Sequence, residues 1–203
     1  MPDCDDENEK KRPAPLNEKM EQVLLDKRYV FLTEDVNADS ARDIIRKFLY
    51  LEHIAPGKPI LFYINSPGGS VDSGFGIYDT IQMISSPVVT LISGLAASFG
   101  SLLSVAAKKG KRLATPHSRI MIHQPLIGGV IRGQATDLDI QAQEMLKTHS
   151  QIAKIYQEAT GRPMDEIKKF LLRDKWLSPE EAIQFGVLDK VVTSMKEVDE
   201  YLR

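Results

Sequence analysis

The chain has 203 residues, with 26 Lys+Arg against 28 Asp+Glu, a net charge of −2 and 42% hydrophobic residues. These totals suit one globular domain with a real core and exclude global disorder. A pI of about 6.1 excludes a protein working by bulk attraction to nucleic acid, and the lone cysteine, Cys4, excludes a disulfide framework and a Cys-rich zinc module.

The chain opens on MPDCDDENEKKRPAP, in which residues 1–12 carry five acids and three bases and therefore the whole net charge. Such a segment cannot bury enough apolar surface to offset its ordering entropy, so residues 1–15 are expected to form a flexible charged tail or propeptide. It lacks the apolar stretch and cleavage site of a secretory signal. No neighbour holds a base against Cys4. Residues 16–203 are read as a single domain. Its acids and bases balance, and near-zero charge favours association.

Val30–Thr33 predicts a strand. Ala41–Ile54 predicts a helix, with Ile44, Ile45, Phe48, Leu49 and Leu51 mostly on one side. Lys58–Asn65 (KPILFYIN) reads as a strand with two apolar faces and Val71–Ile84 as a helix. Between Asp79 and Lys108 the chain carries no charge. Pro87 and seven serines and threonines (Ser85, Ser86, Thr90, Ser93, Ser98, Ser101, Ser104) make this run too polar for a membrane span. It reads instead as a buried unit: an interior strand Val88–Ser93 (VVTLIS), then a small-residue helix Ser98–Ala107. Arg119–Ile122 predicts a short strand. Gln134–Thr160 predicts a long helix with Ile140, Met145, Ile152 and Ile155 near the core. Ser178-Pro179-Glu180-Glu181-Ala182 predicts a helix start with Ser178 as cap, Pro179 in the first turn and Glu181 closing a capping box; Gly186 would end that helix. Strand–helix–strand order repeated in this way means an α/β fold with a largely parallel sheet.

Four local features carry chemistry. Asn65-Ser66-Pro67-Gly68-Gly69-Ser70 follows a buried strand, and its glycines can leave N–H groups exposed for an anion or oxyanion; a plain strand-to-helix turn would look the same. Gly94-Leu95-Ala96-Ala97-Ser98-Phe99-Gly100 places Ser98 at a strand-to-helix junction, at the positive end of the helix dipole, with the Phe99 N–H pointing outward. An N-cap serine would also fit, and the Gly-x-Ser-x-Gly elbow of α/β-hydrolases does not. Among four histidines, His53 and His149 lie on or near helices and His117 lies in a turn. His123 ends an apolar strand before Pro125, where a base could be held. Arg173-Asp174-Lys175-Trp176 offers a carboxylate beside the only tryptophan, though Asp137, Asp165 and Asp189 are equally eligible from spacing alone. A serine at a helix start, a histidine after a strand and a later aspartate are the parts of a Ser-His-Asp machine.

YINSPGGSVDSGFGIYDT, GLAASFGS, RIMIHQP and DKWLSPEEAIQFGVLD closely resemble the Clp protease proteolytic subunit family, ClpP, from about Val30 to the C-terminus. The resemblance implies a crotonase-like α/β fold with a protruding handle, at about residues 125–160. It implies a serine endopeptidase that hydrolyses unfolded polypeptides inside a chamber of two stacked heptameric rings. Ser98 would be the nucleophile, His123 the general base and Asp174 the residue that orients it. Gly69 and Phe99 would form the oxyanion hole. Gly69, Ser70 and Val71 would line one edge of a bound peptide strand, and Pro125 and Leu126 the other. Arg132 and Arg173 would make ring contacts. Tyr63, Met83, Leu91, Leu113 and Val192 would form the docking surface for an AAA+ unfoldase such as ClpX or ClpC/ClpA. That partner would use ATP; this chain has no P-loop and implies no cofactor and no metal. A cytoplasmic location follows, with neither nucleic acid nor membrane as partner.

The chain departs from the family pattern at three places. Leu16–Leu25 and the charged tail replace a Tyr-Asp-Ile-Tyr-Ser-like start. Leu172-Arg173-Asp174 lacks the first acid of the family's Asp-Arg-Asp. Ser93 and Thr115 make the docking surface more polar. These departures suggest one of two paralogues that reaches full activity in a mixed assembly. Two other readings compete: a non-catalytic subunit of such a ring, and an acyl-CoA enzyme of crotonase type.

Overall fold

Apolar runs covered on two faces alternate with amphipathic stretches, and the chain folds accordingly into strands separated by helices. The computed structural model describes residues 16–126 and 133–203. In chain order its elements are α1 (Leu16–Asp26), β1 (Tyr29–Leu32), α2 (Ala38–Ile54), β2 (Ile60–Ser66), α3 (Val71–Met83), β3 (Val88–Ala97), α4 (Phe99–Ser104) and β4 (Arg112–Ala114). There follow β5 (Arg119–Ile122), α5 (Ala135–Thr160), α6 (Met164–Leu171), β6 (Lys175–Leu177), α7 (Pro179–Phe185), β7 (Lys190–Val191) and α8 (Met195–Glu200). Residues 1–15, Gly128, Gly129 and Arg132 lie outside the described residues.

The sheet runs β1-β2-β3-β4-β7, with β5 also on β3 and β6 on β5. Every pairing is parallel except β5 with β6. The long strand β3 forks the sheet. Its first half, Thr90–Ile92, pairs with β4, and its last residues, Leu95–Ala97, pair with β5. A register shift between Ile64 and Ser66 of β2 accompanies the fork. There Asn65 Oδ1 accepts from the Leu95 N–H at 3.0 Å. Gly94 lies against it at φ +96°, where a Cβ would meet Asn65 Oδ1 at 2.7 Å. Gly94 thus carries the strand onward, and β3 extends four residues past the predicted end at Ser93.

The main core gathers Phe48 and Ile44 of α2, Phe62 and Ile64 of β2, Ile77 of α3, and Phe99, Leu102 and Leu103 of α4. Burying each such side chain contributes about 1.5–3 kcal/mol. The capping box of α7 forms as predicted, with Gly186 closing it at φ +98°. Asn37 caps α2 by a second capping box with Ser40, so the helix starts at Ala38, three residues before the predicted Ala41. The predicted helix Ser98–Ala107 is shorter, Phe99–Ser104.

Helix α5 has 26 residues, about 39 Å of helix. Only Ile152, Ala153 and Tyr156 of it are buried. Ile140, expected near the core, is 55% exposed, and no residue in the first half of α5 is buried by the described residues. The inner end is fastened by Arg112, itself buried. Its Nη1 donates to Ala159 O at 3.0 Å and Gly186 O at 2.9 Å. Its Nε and Nη2 grip the two oxygens of Asp189 at 2.9 and 2.6 Å. Burial pushes the Asp189 carboxyl up, but the hydrogen bonds and charge of Arg112 outweigh it and hold the group below its ordinary value.

The folded carboxyl titrates below the unfolded one, so its contribution is present above about pH 4 and is lost as the pH falls through the folded value. Asp189→Asn leaves a buried guanidinium without its counter-charge and should cost about 3–5 kcal/mol. Denaturant unfolding at neutral pH checks this; a loss below about 1 kcal/mol would contradict it.

Candidate active site

Three adjoining strands bring the chemistry together by register. Ala97 of β3 stands beside Met121 of β5. The Ser98 N–H donates to Met121 O at 2.9 Å, one rung beyond the strand. Ser98 and His123 therefore leave neighbouring parallel strands at the same end. On the other side of β5, Ile122 pairs with Lys175 of the antiparallel β6, so Asp174 comes up opposite His123. The Arg119 guanidinium sits 4.2 Å over the Trp176 ring and helps fasten this edge, a contact worth about 0.5–1 kcal/mol where exposed.

His123 Nε2 lies 2.7 Å from Ser98 Oγ, and His123 Nδ1 lies 3.2 Å from Asp174 Oδ1. A carboxylate only accepts, so Nδ1 carries the proton and Nε2 accepts from the Ser98 hydroxyl. The His123 side chain is 12% exposed, whereas that of Asp174 is 65% exposed. Asp174 thus faces His123 rather than pairing with Arg173 or Lys175. The other eligible carboxylates are elsewhere: Asp189 on Arg112, and Asp137 and Asp165 in the first turns of α5 and α6.

Ser98 does not cap the helix it precedes. It stands at φ +53°, ψ −123°, and its side chain makes no cap hydrogen bond. A left-handed non-glycine turn costs on the order of 1–3 kcal/mol and persists only where its surroundings fix it. Here it throws Oγ off the strand toward His123, as a nucleophile elbow does, although Gly-x-Ser-x-Gly is absent. The surroundings are close. Gly68, at φ +91°, would bring a Cβ to 2.6 Å from Ala97 O, 2.7 Å from Phe99 N and 2.8 Å from Ser98 Cβ. Gly100 lies on Ser66 O in the same way, and Gly74 on the Phe99 ring. That ring meets Phe75 edge-on at 5.1 Å.

Gly69 and Phe99 flank this turn. Val36 pairs with the Gly68 carbonyl at 2.8 Å and with the Ser70 N–H at 2.7 Å, which leaves the Gly69 N–H on the opposite side. The Phe99 N–H opens α4. Along the expected peptide-binding edge, the Ser70 N–H is already committed to Val36 O, and Val71 opens α3. Pro125 is half-buried and Leu126 is 66% exposed on the other side. Arg173 is exposed.

Tyr63, Leu91 and Val192 line a recess of about 340 Å³ with Ser93 and Thr115. Two residues expected there are not on it. Leu113 is fully buried beneath it, and Met83 is 83% exposed at the end of α3. The reason for Met83 is topological: α3 packs on the face of β2 that carries Phe62 and Ile64, whereas the recess lies on the face that carries Tyr63. Among the described residues no group of three or more His, Cys, Asp or Glu could hold a metal, and no helix is long and apolar enough to cross a membrane.

The family model described as Clp protease matches residues 14–195. The chain belongs to the Clp protease family. This is a family of serine peptidases with an α/β, crotonase-like fold. The ATP-dependent Clp protease proteolytic subunit 1 of Protochlamydia amoebophila is 56% identical over 194 residues, 96% of this chain and 94% of that one. The proteins of the same name from Chlamydia muridarum and Chlamydia pneumoniae are 54% and 55% identical over 183 residues, 90% of this chain and 95% and 96% of theirs.

Sequence reasoning missed Gly68, Gly94 and Asn65 as supports of the site; a polar residue and glycines inside or just after apolar strands were the available signal. Gly68→Ala should displace the Ser98 turn and lower kcat/KM at least about a hundredfold. Peptidase assay beside thermal unfolding checks it, and near-normal activity would contradict it.

Proposed function

We propose that the chain is the proteolytic subunit of an ATP-dependent Clp protease, with Ser98, His123 and Asp174 as its catalytic residues. The observation that carries this reading is the continuous contact from Ser98 Oγ through His123 to Asp174. Ser98 attacks the scissile carbonyl while His123 Nε2 takes its proton. Asp174 holds the imidazole in the required tautomer. The negative oxygen of the tetrahedral intermediate is met by the N–H groups of Gly69 and Phe99, and His123 returns the proton to the leaving amine. Water, activated by His123, then releases the acyl group from Ser98. Gly69 and Val71 on one side, and Pro125 and Leu126 on the other, hold the substrate as an added strand.

Heptameric rings stacked in pairs form the working particle. Arg132 and Arg173 contribute ring contacts, and cover of the exposed Asp174 by a neighbour would strengthen its hold on His123 by excluding water. An AAA+ unfoldase docks at the recess around Tyr63, Leu91 and Val192 and uses the ATP. This chain uses no cofactor or metal and works in the cytoplasm. The polar Ser93 and Thr115, the missing acid before Arg173 and the number in the relatives' names favour a mixed assembly with a paralogue.

A fluorophosphonate should label Ser98, and labelling should disappear in Ser98→Ala and His123→Ala. Ser98→Ala should lower kcat about a millionfold and Asp174→Asn about ten-thousandfold. Absence of labelling with the unfoldase and paralogue present would favour a non-catalytic subunit. Size-exclusion mass tests the assembly: full activity is expected only with the paralogue, and a stable, fully active double ring of this chain alone would contradict that.

A further inference from the structure

The Ser98–Phe99 peptide is gripped from behind. Its carbonyl oxygen accepts from the Ser101 N–H at 3.1 Å, the Leu102 N–H at 3.2 Å and the Ser101 hydroxyl at 2.7 Å. Ser101 Oγ in turn lies 2.7 Å from Tyr156 Oη, across 55 residues of sequence. Both side chains are buried, at 1% and 2% exposure. A serine hydroxyl has one proton. With that proton on the Ser98 carbonyl, Tyr156 must be the donor to Ser101. Burial pushes the Tyr156 phenol up, against a smaller opposing effect of Ser101, so it keeps its proton.

A peptide unit is planar and trans, so its carbonyl and its N–H point in opposite directions along one rigid plate. Fixing the Ser98 oxygen fixes the direction of the Phe99 N–H. Donation into that oxygen also polarises the N–H, as hydrogen bonds in a chain do.

We propose that Tyr156 is a positioning residue for the oxyanion hole: through Ser101 it holds the Ser98–Phe99 peptide plane, and so aims the Phe99 N–H at the developing oxyanion. Tyr156 lies on the buried inner part of α5, whose outer half is free of the core. A shift of α5 would withdraw the donor from Ser101, so the seating of this helix is read at the nucleophile. The inference rests on the peptidase reading above and deepens it.

The test is made on the active assembled particle with a short fluorogenic peptide and with a fluorophosphonate. Tyr156→Phe keeps the ring and its packing and removes only the donor. It should lower kcat about two- to tenfold, the range of one neutral hydrogen bond. KM should stay within about twofold, because the oxyanion forms only in the transition state. The labelling rate of Ser98 should fall by the same factor, and the acid limb of the kcat–pH profile should not move, since His123 is untouched. Ser101→Ala should lower kcat at least as far, and the double variant no further than Ser101→Ala. Unchanged kcat in Tyr156→Phe would overturn the proposal, as would a shifted acid limb or losses that multiply in the double variant. A wild-type particle that does not label at Ser98 would overturn the peptidase reading instead, and the relay with it.

Discussion

The hydrogen bond from the Ser98 N–H to the Met121 carbonyl, at 2.9 Å, is the last rung of the parallel ladder between β3 and β5. It sets how far Ser98 stands along the strand that delivers His123. Beyond that rung the backbone turns left-handed at φ +53° and enters α4. A one-residue slip in the ladder would reverse the side on which every β3 side chain emerges. Ser98 would then face the core. The Asn65–Leu95 contact and Gly94, which let β3 bend onto β5, serve that register.

Strain at Ser98 is held by packing on all sides. Gly68 and Gly100 let backbones approach where a methyl group would collide, and Phe99 anchors the helix start between Gly74 and Phe75. Ser101 and Tyr156 pull on the far side of the same peptide. Ser98 and the Phe99 N–H are thus placed by buried groups behind them. This is what electrostatic preorganisation requires, since donors fixed before the reaction need no rearrangement during it. Asp174 differs. Its side chain is 65% exposed, so its hold on His123 is screened by solvent in a way the buried contacts behind Ser98 are not.

Much of this was legible in the sequence, because the elements that carry it are long or strongly marked. KPILFYIN and VVTLIS are apolar on both faces, and SPEEA announces a capped helix. The motifs around Ser98, His123 and Asp174 name a family. What the residues alone left open was the choice of Asp174 over Asp137, Asp165 and Asp189, since spacing along the chain does not say which carboxylate meets His123. Register decides it: Ile122 opposite Lys175 places Asp174 at His123, while Asp189 is taken by Arg112. The strands RLA, KWL and KV are too short to show a period. Gly94 read as a strand end, although it is the bend that lets β3 continue. Ser101 and Tyr156 lie 55 residues apart, and no local pattern links them.

Peptide hydrolysis at Ser98 requires the Gly69 and Phe99 N–H groups to aim at one point beside its Oγ. A crystal structure of the assembled particle treated with a peptide boronate tests this most directly. The account predicts boron bonded to Ser98 Oγ, His123 within hydrogen-bond reach, and one boronate oxygen about 2.7–3.1 Å from both Gly69 N and Phe99 N. A boronate on Ser98 whose oxygens meet neither amide, or a boronate bound elsewhere, would contradict it.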